Sequence, residues 1–164
     1  MGKRAQAGTP ALMVLQRAGV EHTVETYEHD PRSTNFGLEA ATALGLEPAM
    51  VFKTLLALVD EQPAVAIVPV NGRLDLKALA SARGGKKARM MEASAAERLT
   101  GYVVGGISPL GQRTASATVL DSSALDHPVV YVSGGRRGLD IGMAPADLVM
   151  LTNAEVARIA PIVR

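Results

Sequence analysis

The chain has 164 residues, 48% of them hydrophobic and 20% charged, which is long enough for one domain with a sizeable core and too apolar for a disordered segment. It contains no cysteine, which excludes disulfides, a cysteine nucleophile and thiolate-bound metal. Net charge is only +1, yet Arg73, Lys77, Arg83, Lys86, Lys87 and Arg89 are opposed within their segment by Asp75 alone, a local excess that suits a polyanion.

Met1-Gly2-Lys3-Arg4 leads into no apolar stretch of signal-peptide length, and no run approaches the roughly 20 apolar residues of a membrane span, so a cytoplasmic protein is expected. Thr9-Pro10 predicts a helix over 11–18 with a threonine cap, proline at its first position and Gly19 as its stop. Alternation from His22 to Tyr27 predicts a strand that Asp30-Pro31-Arg32-Ser33 breaks. A short helix over about 38–44 then ends at Gly45. Residues 51–59 and 64–70 are β-compatible apolar runs around Asp60-Glu61-Gln62-Pro63, and predict a hairpin in a sheet covered on both faces.

Residues 75–82 predict a helix closed by Gly84-Gly85, and 86–91 a short strand. Ser94-Ala95-Ala96-Glu97 reads as a capping box opening a helix that Gly101 ends. Glycine at 101, 105, 106 and 111 makes 101–112 a loop in which backbone approaches something closely. Residues 117–120 and 128–133 read as strands, 133–138 as a loop into Leu139-Asp140-Ile141-Gly142, and Thr152-Asn153-Ala154-Glu155 as the cap of a C-terminal helix reaching Ala160. Short strands alternating with short helices predict one mixed α/β domain over 1–164.

Three stretches break local rules: Lys53 inside an apolar strand, the glycine loop around Gly105-Gly106-Ile107-Ser108, and the segment from Ser133 to Asp140. A lone strand lysine more often pairs with a carboxylate, here Asp140 or Glu39, than serves a ligand. Glycine and serine loops are more often simple turns, and no GxxxxGKS or GxGxxG string supports a nucleotide cradle. His22, His29 and His127 stand at no metal-like spacing.

Taken together as strings, Val51-Phe52-Lys53-Thr54-Leu55, the run Thr100-Gly101-Tyr102-Val103-Val104-Gly105-Gly106-Ile107-Ser108-Pro109-Leu110-Gly111-Gln112, and Val132-Ser133-Gly134-Gly135-Arg136-Arg137-Gly138-Leu139 resemble the YbaK/EbsC family of Cys-tRNA(Pro) deacylases. That family is related to the editing domain of bacterial prolyl-tRNA synthetases, and the resemblance runs from Gly8-Thr9-Pro10-Ala11 to the end of the chain. It implies a mostly antiparallel, barrel-like central sheet surrounded by short helices. The implied activity is removal of cysteine from mischarged Cys-tRNA(Pro), extending to Cys-tRNA(Cys), with no cofactor or metal. Cysteine and proline are close in size, so a synthetase pocket cannot reject one strongly and a second hydrolytic check is needed.

Carried over residue by residue, the resemblance implies catalytic roles for Lys53, Ser133 and Asp140, beside which Thr54 is expected to assist as a neighbouring hydroxyl. It places Tyr27, Phe36 and Gly105 around the aminoacyl group, and the glycine loop adds Gly106, Ile107 and Ser108 as expected substrate contacts. Arg83, Lys86, Lys87, Arg89, Arg136 and Arg137 are the candidates for acceptor-end phosphates. The expected partners are the tRNA(Pro) acceptor end and, as a candidate, prolyl-tRNA synthetase, with the chain a monomer or weak dimer and no membrane involved. Three alternatives stand beside this reading: release of alanine from tRNA(Pro), a non-catalytic tRNA- or synthetase-binding module, and a Schiff-base enzyme built on Lys53.

Overall fold

In a computed structural model that describes residues 8–161, the first helix forms as its caps require. α1 runs Pro10–Ala18, with the Thr9 hydroxyl accepting the Leu12 amide at 3.2 Å and Gly19 closing the helix at φ +66°. β1 (His22–Thr26) follows, then α2 (Phe36–Leu44), capped by the Asn35 side chain and ended by Gly45. A short 3-10 turn at Pro48–Met50 leads into the hairpin of β2 (Phe52–Val59) and β3 (Gln62–Pro69).

The hairpin turn is tighter than the four-residue loop expected from sequence. Val59 pairs with Gln62, and Asp60 and Glu61 both adopt positive φ, at 47° and 66°, which is the backbone twist a two-residue hairpin needs. The Asp60 carboxylate then accepts the amides of Lys86 and Lys87, tying this turn to the start of the next strand. α3 (Leu76–Ala82) is capped by Asp75, and β4 (Ala88–Met90) pairs with the far end of β2.

α4 (Ala93–Thr100) corrects the capping-box expectation. Its cap is Glu92, which makes no side-chain capping bond, and Glu97 reaches instead to the Val104 amide at 2.8 Å, drawn there by an unpaired loop donor. After β5 (Ala117–Asp121) and a 3-10 turn over Ser122–Asp126 come β6 (Val130–Arg136) and β7 (Leu139–Met143). The loop expected over 133–138 is therefore mostly strand, with a bulge between Ser133 and Arg136 that absorbs the two glycines.

The expected C-terminal helix is replaced by α5 (Pro145–Thr152) and β8 (Glu155–Ala157). Asn153 at φ +53° is the end of a helix, not the start of one. What holds the following chain extended is buried Asp121. One carboxylate oxygen accepts the amides of Ile159 and Ala160 at 2.8 and 2.9 Å, and the other accepts from Ser123. Asp121→Ala leaves those amides without their partner, so a loss of about 2–4 kcal/mol in unfolding free energy is expected by denaturant titration, with amide exchange accelerated at 159 and 160.

The strands form two sheets, β1-β7-β6 and β4-β2-β3-β5-β8. The first is antiparallel throughout, while the second has parallel β3/β5 and β5/β8 pairs. The sheets touch through a bridge between Val51 and Tyr131 and do not close among the described residues, which corrects the barrel-like expectation: there β1 and β8 each have a neighbour on one side only. As expected, β2 and β3 are apolar on both faces. Phe52, Leu56, Val65 and Ile67 face the main core with Leu139 and Ile141, while Ala57, Val59, Ala66 and Val68 face a second cluster under Leu79. The result is a mixed α/β domain in which the start of β2 lies beside β6, the partner of β7.

Candidate active site

At that junction a cavity of about 540 Å³ opens along β2. Lys53 and Thr54 line it from β2, Ser133 from β6, Asp140 from β7, Tyr27 from the end of β1, and Phe36 from the first turn of α2. Gly105 and Ile107 complete the wall from the glycine loop. Eight of the residues singled out in sequence thus converge on one space.

Lys53 is half-buried and forms no ion pair among the described residues. Loss of solvent, and then the positive field of Arg73, push its pKa down. The expected carboxylate partners serve otherwise. Glu39 accepts from His29 Nδ1 at 2.8 Å and from the Asp30 amide at 2.7 Å. Asp140, 6% exposed on the central strand of its sheet, has its carboxyl pushed up to about 7 by burial. Burial, with the Asp140 charge next, likewise raises the Tyr27 phenol to about 12. Thr54 Oγ1 is buried with no hydrogen-bond partner among the described residues, an orphan polar atom inside the cavity wall.

Phe36 is held from three sides. The Arg137 guanidinium lies 4.7 Å over its ring while Nε donates to the Val104 carbonyl at 2.9 Å, and the His29 ring stands 5.7 Å away. On the third side Gly105, at φ +89°, comes so close that a Cβ would stand 2.7 Å from the ring. Gly105 is thus the position where the loop needs both a left-handed backbone and no side chain.

Two expected substrate contacts lie behind the wall. A Cβ on Gly106 would meet the Arg136 backbone at 2.7 Å, so this glycine seats the loop against β6. Ser108 is fully buried, and its hydroxyl accepts the Leu110 amide at 3.2 Å. Both shape the loop and neither lines the cavity.

The basic residues divide in the same way. Arg83 pairs with Glu155, and Arg89 donates twice to Glu61, at 3.0 and 2.6 Å. Lys86 and Lys87 stand exposed beside the Asp60 turn, seven residues along β2 from Lys53 or roughly 20 Å away at strand spacing. Arg137 is exposed and reaches the cavity through Phe36, over which it packs, and Arg136 is exposed beside the glycine loop. Arg73, counted in sequence only as part of the basic segment, is the cation whose field reaches Lys53. Sequence reading also passed over Met90, Met91 and Asn35, which line the cavity through strand pairing and helix placement that carry no local signal.

A family model described as an aminoacyl-tRNA editing domain matches residues 36–151. The chain belongs to the aminoacyl-tRNA editing domain family. The matched span takes in Phe36, Lys53, Gly105, Ser133 and Asp140, all of which line the cavity, and the activity class is aminoacyl-tRNA deacylation. A relative from Enterococcus faecalis, named "Putative Cys-tRNA(Pro)/Cys-tRNA(Cys) deacylase EbsC", is 36% identical over 159 residues, covering 96% of each chain. A solved structure described as a "putative trans-editing enzyme for prolyl tRNA synthetase" superposes with TM-score 0.79 at 28% identity, covering 93% of this chain and 95% of the other. The crystal structure of a hypothetical protein gives TM-score 0.82 at 27% identity over 93% of this chain and 99% of the other. Among the described residues, no helix of the editing domain is long and apolar enough to cross a membrane.

Proposed function

We propose that this editing domain releases cysteine from mischarged Cys-tRNA(Pro), with the substrate's own thiol as the nucleophile. The observation that carries the reading is the content of the cavity: an uncompensated lysine and a carboxyl held near neutrality, with neither a cysteine nor a histidine among the lining residues. A lysine and a carboxylate can move protons and steady charge, but an attacking group with a pKa near 8.5 is supplied by a cysteinyl substrate. The name of the Enterococcus relative supports the same choice of amino acid.

Ionised Asp140 takes the proton of the cysteinyl thiol. The thiolate attacks the ester carbonyl carbon, a C–S bond forms, and the negative charge that develops on the carbonyl oxygen is met by Lys53, with the free Thr54 hydroxyl beside it. Collapse breaks the bond to the ribose oxygen, which takes the proton back from Asp140. The products are a four-membered cysteine thiolactone, which water opens to cysteine, and tRNA with a free terminal hydroxyl. Phe36 and Gly105 bound the amino-acid end, and Arg137 holds Phe36 in place. Choice of tRNA(Pro) over other cysteinyl-tRNAs is left to a synthetase partner.

The test is release of labelled cysteine, alanine and proline from tRNA(Pro), with and without prolyl-tRNA synthetase. Cysteine is expected to leave at least tenfold faster than alanine, and S-methylcysteine, which lacks the thiol proton, not at all. Equal release of alanine and cysteine overturns the thiol mechanism.

A further inference from the structure

The cavity has two chemically different ends, and the proposed chemistry uses one of them. Ser133 and its pair Asp140 line the cavity from the strands that meet the start of β2 at the Val51–Tyr131 bridge, and Tyr27 lines it with them. Along β2 the lining changes to Leu55 and Leu56, and β4 and the start of α4 add Met90, Met91, Ala93 and Ala96. Ala57 pairs with Met90, and the Met91 amide donates to the Leu56 carbonyl at 3.1 Å, so this wall is fixed in the five-stranded sheet. Met90 nevertheless remains 44% exposed, an apolar side chain left uncovered at the edge of the cavity.

The volume also exceeds what the amino acid needs. A cavity of about 540 Å³ is in the range that takes a ligand of several hundred daltons, far larger than a cysteinyl group. The ester placed at Lys53 is covalently continuous with a ribose and a purine base, whose far edge therefore lies within roughly 10 Å of it, the span of about three residues along β2. The polar end is filled by the aminoacyl group, which leaves the apolar end for the base.

We propose that Met90 and Met91 form a shelf on which the terminal adenine of the tRNA stacks, making this wall the nucleoside subsite of the editing site. The chemistry suits it. Thioether sulfur and methyl groups give favourable contact with the face of an aromatic ring and adapt to its outline. An apolar surface accepts a purine without hydrogen-bond readout, as suits an end that is the same in every tRNA. The inference rests on the deacylase reading for the position of the ester, but not on which amino acid is released.

The test uses the whole chain labelled at its methionine methyl groups. Titration with 5′-AMP is expected to shift the Met90 and Met91 signals, while Met13 and Met150, exposed but outside the cavity, stay fixed. Ribose 5-phosphate, which lacks the base, is expected to move neither of the cavity pair. In the kinetic arm, cysteinyl adenosine ester is expected to be cleaved with a lower KM than cysteine methyl ester. Met90→Ala/Met91→Ala is expected to shrink that preference about tenfold. Equal shifts with ribose 5-phosphate, or a preference untouched by the double substitution, overturn the shelf. If cysteinyl esters are not cleaved but 5′-AMP still shifts Met90 and Met91, the choice of amino acid fails and the nucleoside subsite stands.

Discussion

Lys53→Ala is expected to lower cysteine release from Cys-tRNA(Pro) by about a hundredfold to a thousandfold, the usual consequence of removing one preorganised charge from a developing oxyanion. Its effect on stability should run the other way. Lys53 has no ion pair among the described residues, and its ammonium is partly stripped of water beside the positive Arg73, so the folded state gains no compensating attraction from it. Removing a paired lysine would strand a buried carboxylate, whereas removing this one strands nothing. Lys53→Met, which keeps most of the volume, is therefore expected to unfold at the same temperature as the parent or a higher one while remaining inactive. Circular dichroism melts and a single-turnover assay on the same samples separate the two effects. Retained activity in either variant would remove Lys53 from the centre of the site.

A lysine with no ion pair among the described residues is also what made the site legible in sequence. An ammonium in a run of Val, Phe, Leu and Ala conflicts with the local pattern, and so does a glycine string too dense for any regular element. Both conflicts resolve at the cavity, since Lys53 lines it and Gly105 clears space for Phe36. Ser108 and Gly106 carried the same kind of signal for a different reason: they build the loop that presents Ile107. Sequence cannot tell a residue that faces the cavity from one that supports its wall, because the difference is a side-chain direction set by tertiary packing.

The misread elements fail for a related reason. Glu97 has the spacing of a capping box, yet its carboxylate is taken by an amide seven residues further on. Thr152-Asn153 ends one helix with chemistry that could equally start another, and Asp121, more than thirty residues earlier, decides the matter by fixing the backbone at Ile159 and Ala160. Met90 and Met91 gave no signal at all, since methionine near a strand end is ordinary and only pairing with Ala57 brings that end of β4 to the cavity.

Asp140→Asn is the second large effect, and its two readouts should respond to pH with opposite signs. The carboxyl is pushed up to about 7 by burial, against an ordinary aspartate value of 3.8 in the unfolded chain. Between those values the folded protein holds a proton that the unfolded chain has lost, so stability falls as pH rises from about 4 to about 7. Above 7 the full penalty of an ionised buried carboxylate remains, on the order of 4 kcal/mol. Asparagine has no charge to desolvate, so the variant is expected to lose this pH dependence and to be the more stable protein at pH 8. The proposed catalysis, with Asp140 as the proton acceptor, needs the form that folding disfavours. Only the carboxylate can take the thiol proton, so parental kcat/KM is expected to rise through a pKa near 7. The amide variant is expected to lose about a hundredfold to ten-thousandfold, with no inflection left there. Urea titrations at pH 5 and pH 8 and a pH–rate profile on both proteins decide it. A variant that is stabilised at pH 8 yet keeps its rate would make Asp140 a buried structural carboxyl, and the proton acceptor would then have to be sought elsewhere along the cavity.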